Sequence, residues 1–185
     1  MTAPNVGNPT RPAVTNQLRL PRTAALGPGR GGQQRLLIDA PAGAAEIYLH
    51  GATVTSWVPR GGSEVIFTSR QAVFDGATAI RGGIPLCLPE FGVGINGDAV
   101  PKHGWARIAP WRLLTVTSTD GGGVRALLSV SRDRLTALYE VEVGQTLRLG
   151  LSLRNEGSEP RTVEAAAHTY LSVHDVTASR ISGLA

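Results

Sequence analysis

The stretch LYEVEVGQTLRLGLSLRN, residues 138–155, decides the fold class. Its second half alternates strictly: Leu147, Leu149, Leu151 and Leu153 are separated by Arg148, Gly150, Ser152 and Arg154. A period of two places the leucines on one face of a strand and the polar residues on the other. Val141 and Val143 set the same rhythm upstream, and the intervening Gly144-Gln145 suits a type II′ hairpin turn, with glycine first. Working outward, short strand-like runs recur on both sides: RLLIDAP, AAEIYLHGATVTSWVP and SEVIFTS before residue 70, then ARIAPWRLLTVTST, GVRALLSVS and RTVEAAAHTYLSV. Helical periodicity is not sustained anywhere; SRDRLTALYE is the best candidate, at one or two turns. The pattern predicts an all-β sandwich of antiparallel strands without internal repeats.

Composition agrees with that class and narrows the function. A chain of 185 residues fits a single domain, and 42% hydrophobic with 17% charged residues is enough for a core and too apolar for a disordered chain. The 23 glycines and 12 prolines supply the turns an all-β chain needs. No long uncharged apolar run reads as a membrane span. The net charge of +4 is concentrated in the first 35 residues, which hold five arginines and no acid; the rest carries 13 Lys and Arg against 14 Asp and Glu. Residues 1–34 therefore read as a disordered, Pro/Gly-rich extension, without the apolar segment of a secretory signal. Residues 35–185 read as the folded domain. The body shows no basic stripe interleaved with aromatics, so nucleic acid is not an expected partner. The single cysteine, Cys87, precludes an internal disulfide and points to a reduced, cytoplasmic home; between the apolar neighbours of IPLCLP it reads as a buried, inert thiol.

A second stretch, IRGGIPLCLPEFG at residues 80–92, is apolar enough for a buried strand but broken by glycine and proline, with Arg81 near its start and Glu90 near its end. KHGWAR follows at residues 102–107. Histidine and arginine donors beside a tryptophan suit a sugar, whose hydroxyls take donors and whose C–H face takes an aromatic. Arg81 and Arg107 also suit an anion, because guanidinium meets phosphate with two parallel donors; capping of loop carbonyls by both is the alternative. His168, in AAAHTYLSVHD, reads equally as a hydrogen-bonded structural histidine or a catalytic one. His50, before Gly51, reads as structural, and His174, beside Asp175, as a turn or surface residue. The four histidines and one cysteine show no metal-ligand spacing, and no metal or organic cofactor is expected.

Taken together, HGATVTSWVPRGGSEVIFTS, IRGGIPLCLPEFG, KHGWAR, LYEVEVGQTLRLGLSLRN and AAAHTYLSVHD, in this order, resemble the D-hexose-6-phosphate mutarotases (glucose-6-phosphate 1-epimerases) of the aldose 1-epimerase superfamily. The resemblance spans roughly residues 35–185. It implies a galactose-mutarotase-like antiparallel β-supersandwich, monomeric when complete, that interconverts the α and β anomers of a hexose 6-phosphate by acid/base ring opening. By the same resemblance His168, in an HTYF-like motif, would be the general acid, and His103, in an HGFAR-like motif, would orient the sugar and polarise its oxygens. Arg81 and Arg107 would hold the sugar or its phosphate, and Asp175 matches an aspartate of the substrate site.

The family's general base is a glutamate well beyond the histidine motif, for which residues 1–185 hold no counterpart. The expectation is therefore a C-terminally incomplete sandwich, prone to instability and weak in catalysis, with a non-catalytic carbohydrate-binding module as the alternative. CLPEFG also departs from the family where an aromatic commonly precedes Phe-Gly, so Glu90 is expected to change the polarity of the pocket.

Overall fold

The computed structural model describes residues 18–183. Ten strands make up nearly all of its regular structure: β1 (Ala24–Pro28), β2 (Gln34–Ala40), β3 (Gly43–Tyr48), β4 (Thr53–Pro59), β5 (Leu86–Cys87), β6 (Arg112–Ser118), β7 (Val124–Arg132), β8 (Leu135–Val143), β9 (Leu147–Asn155) and β10 (Ala166–Ala167). Two single 3-10 turns, Arg30–Gly32 and Ala106–Ile108, are the only helical pieces among the described residues. Strands β1-β2-β3-β4 form one antiparallel sheet and β6-β7-β8-β9 another; β5 pairs with β10. Among the described residues no helix is long and apolar enough to cross a membrane.

Both four-stranded sheets feed one core. Leu36, Ile38, Ile47 and Val54 from the first sheet and Val116, Val124, Ala126, Leu128 and Tyr139 from the second belong to a single buried cluster. The clearest alternation lies in β8, where Leu135, Ala137, Tyr139, Val141 and Val143 are buried while Leu138, Glu140 and Glu142 point outward. In β9, the outermost strand of its sheet, Leu147, Leu149 and Leu151 are partly buried against the core and Leu153 is exposed. The all-β antiparallel expectation holds.

Four local readings change. SRDRLTALYE is strand, turn and strand: Asp133 and Arg134 both have positive φ (51° and 61°), the backbone of a tight turn between β7 and β8. Gly144 does not have positive φ, and the β8–β9 connection is a three-residue loop, Gly144 to Thr146, rather than a type II′ turn. The strand read over residues 161–173 shrinks to β10, because its partner β5 is bracketed by Pro85 and Pro89, which have no N–H to extend a ladder. Finally, the extension read over residues 1–34 is ordered in its second half: β1 pairs with β2 from Ala24↔Ile38 to Pro28↔Gln34, so main-chain pairing overrides the Pro/Gly-rich composition. Residues 1–17 lie outside the described residues.

Candidate functional site

The Gly/Pro-broken stretch that follows Arg81 is a seam between elements. Gly82 to Pro89 are buried without interruption, whereas Arg81 is exposed. On one side the Gly83 amide donates to the Phe67 carbonyl at 2.8 Å and the Ile84 amide to the Val54 carbonyl at 2.9 Å. On the other, the Gly83 and Pro85 carbonyls accept from the Tyr170 and His168 amides at 2.9 and 3.0 Å. The Leu88 carbonyl accepts from the Ala106 amide at 3.0 Å. Glycine is required at 82 and 83: both have positive φ (104° and 73°), and a Cβ would lie 2.6 Å from the Phe67 carbonyl oxygen at 82 and 2.5 Å from that of Val54 at 83. One short segment thereby fixes Arg81, the 103–107 loop and the His168 segment relative to one another.

The three pieces close around a cavity of about 430 Å³ lined by Arg81, His103, Arg107 and His168, with Gln71, Thr78, Pro85 and Tyr170 among the remaining walls. That volume lies in the range of small-molecule sites, roughly 300–1,000 Å³. His168 stacks on Tyr170 (ring centroids 5.0 Å apart) and lies edge-on to His103 (5.9 Å). Phe91 packs edge-on to His103 at 5.1 Å. Arg107 donates from Nη2 to the Lys102 carbonyl at 2.8 Å, so it does cap a loop carbonyl, but its buried Nε has no partner among the described residues. Burial first, then the positive charges of Arg107, His168 and Lys102, hold His103 below the ordinary histidine range. Among the described residues the lining includes two arginines, two histidines and no carboxylate, which favours an anionic ligand.

Of the residues singled out in the sequence, Arg81, His103, Arg107 and His168 come together here and Asp175 does not. Asp175 is exposed, and its carboxylate accepts from the Thr177 hydroxyl and amide at 2.7 and 2.8 Å, which pulls its pKa down. Trp105 is not the aromatic wall either; it is 5% exposed and belongs to the core. The aromatic ring among the cavity-lining residues other than histidine is that of Tyr170. Its signal was in the sequence, since His168 and Tyr170 are two apart in an extended segment and share a face. Glu90 faces a separate depression with Asp98, Arg161 and Glu164, not the main cavity. His50 is buried and its Nε2 lies 2.9 Å from the Thr78 carbonyl oxygen, a structural contact. Cys87 is buried, and burial pushes its thiol up.

A family model described as aldose 1-epimerase matches residues 34–185. The chain belongs to the aldose 1-epimerase family. An Escherichia coli (strain K12) member named "Putative glucose-6-phosphate 1-epimerase" is 32% identical over 158 residues, which are 80% of this chain and 52% of that protein. A protein of the same name from Cenchrus ciliaris is 35% identical over 157 residues, 76% of this chain and 47% of the relative. The crystal structure of a "putative mutarotase (YeaD)" from Salmonella typhimurium superposes with a TM-score of 0.75 at 29% identity, covering 85% of this chain and 54% of that one. The chain thus spans about half the length of the aldose 1-epimerase relatives it matches.

Proposed function

We propose that this cavity binds a hexose 6-phosphate and interconverts its anomers. The observation that carries the reading is the convergence of Arg81, His103, Arg107 and His168 on one cavity of about 430 Å³. In this reading His168 donates a proton to the ring oxygen as the C1–O5 bond opens, and a base takes the anomeric hydroxyl proton. The C1 carbonyl of the open aldehyde then turns over and the ring recloses on its other face with the proton transfers reversed. His103 meets a sugar oxygen, Tyr170 offers its ring to the C–H face, and Arg81 and Arg107 neutralise the phosphate. The names of the relatives support the substrate class. Exchange spectroscopy on glucose 6-phosphate tests it: His168→Ala should slow anomer exchange about 10²–10⁴-fold, and a variant as fast as the parent would remove His168 from the acid's role.

The absence of a carboxylate from the cavity lining among the described residues favours a second reading, a carbohydrate-binding site without turnover. Stabilisation by glucose 6-phosphate in a melting experiment, with anomer exchange at the uncatalysed rate, selects it over the first. No stabilisation and no exchange would overturn both.

A further inference from the structure

His103 is held from several directions at once. Its amide donates to the Gly92 carbonyl at 2.7 Å, and its carbonyl accepts from the Leu88 amide at 3.3 Å. Its φ of +65° is one that histidine tolerates better than most side chains do. The Gly92 amide turns back and lies 3.2 Å from His103 Nδ1. A backbone N–H only donates, so Nδ1 is an acceptor in this arrangement. The Cys87 sulfur, from β5 beneath the loop, lies 3.5 Å from the same nitrogen. A neutral imidazole that accepts at Nδ1 carries its proton at Nε2.

We propose that the Gly92 amide and the Cys87 thiol together lock His103 as the neutral Nε2–H tautomer, making it a fixed hydrogen-bond donor to the cavity and Cys87 a positioning residue. The lone pair that would make the ring a base is occupied by protein donors, so His103 polarises an oxygen and leaves proton transfer to other groups. The inference rests on the proposed function only for what that oxygen belongs to. Burial first, then the charges of Arg107 and Lys102 from its own loop and of His168 from the segment after β10, disfavour the charged ring; the Cys87 thiol of β5 faces it from below and Arg81 lines another wall of the cavity. Burial keeps the thiol protonated and able to donate.

The test needs no substrate, so its failure is distinct from failure of the anomerase reading. Two-bond proton–nitrogen correlation spectra of the full chain with labelled histidine, assigned with a His103→Asn variant, report the protonation of each ring nitrogen at neutral pH. The expected result is an unprotonated Nδ1 and a protonated Nε2. A proton on Nδ1, or averaging between tautomers as in free imidazole, would overturn the proposal. Cys87→Ala removes a donor that favours the neutral ring and should raise the pH of His103 titration by roughly half a unit, with Cys87→Ser returning it toward the parent. An unchanged titration in Cys87→Ala would overturn the role of the thiol.

Discussion

His103 and His168 meet edge to face, 5.9 Å between ring centroids and 86° between planes, one from the loop after β5 and one from the segment after β10. Burial above all, then Arg107 and His168 beside it, make charging His103 unfavourable, and its folded-state pKa lies below the ordinary value. The unfolded chain then binds a proton near pH 6.5 that the folded chain refuses, so the unfolded state holds more protons below that pH. Stability is at its full value above about pH 6.5 and falls as the pH drops toward the folded pKa. Asp75, held down to about 2 by hydrogen bonds from Thr78 and Ala77, titrates below this window. Urea midpoints at pH 7.5 and 5.5 should therefore fall more steeply for the parent than for His103→Asn, which tolerates the positive φ and does not titrate. Equal slopes would show that the histidine pair contributes nothing to acid sensitivity.

Gly82→Ala should destabilise the chain by about 3 kcal/mol or more, because a Cβ there meets backbone at Phe67 and Thr68 and the φ of +104° is strained for alanine. Gly61, with φ of +71° and nothing among the described residues within 4 Å of its would-be Cβ, is the control. Gly61→Ala should cost only about 1 kcal/mol. Urea denaturation of the two variants separates left-handed strain from close approach.

The contrast between these glycines also marks what was readable in the sequence. Both are glycines in polar or broken stretches, and only the fold brings Phe67 and Val54 against the 82–83 pair. The two-residue alternation of β8 and β9 was legible because it is local. The Asp133-Arg134 turn was not, since neither residue is the Gly or Asn that usually marks positive φ. At the site, the two arginines and two histidines stood in recognisable motifs. The cavity-lining Tyr170, Gln71 and Thr78 come from segments brought together by the seam. Trp105 is not decided by its neighbours, because a tryptophan beside His and Arg looks the same in sequence whether its ring faces a sugar or the core.

Tyr139 offers a test of the core. Its ring is 1% exposed and packs edge-on to Trp111 at 6.1 Å, yet its hydroxyl has no hydrogen-bond partner among the described residues. Burial alone pushes the phenol further above its usual range, so it stays neutral at any working pH. Removing an unsatisfied buried hydroxyl while keeping the ring should leave stability unchanged or raise it by about 1 kcal/mol. Tyr139→Phe is expected to behave so in thermal and urea unfolding, whereas Tyr139→Ala should lose about 3–5 kcal/mol. A marked loss in the Phe variant would mean that the hydroxyl has a partner in solution.

Arg30 ties the segment before the matched family region to the wall of the site. From the 3-10 turn between β1 and β2, its Nη2 donates to the Arg70 and Ala72 carbonyls at 3.1 and 3.4 Å, and its guanidinium lies over the Phe74 ring at 4.3 Å. Its own amide donates to the Tyr48 hydroxyl at 2.9 Å, and Tyr48 packs on Phe74 at 4.8 Å. Gln71 and Val73, inside the clamped segment, line the cavity. Arg30→Ala should therefore lower stability by only about 1 kcal/mol, the scale of one exposed cation–π contact and a net hydrogen bond. It should nevertheless weaken glucose 6-phosphate binding several-fold, because the wall it holds is no longer fixed before the ligand arrives. Arg30→Lys should recover little, since a lysine's single ammonium does not reproduce the stacked, two-carbonyl geometry. Calorimetric titration of the three proteins decides the matter: binding that is equal in all of them would show that this clamp serves the fold and not the site.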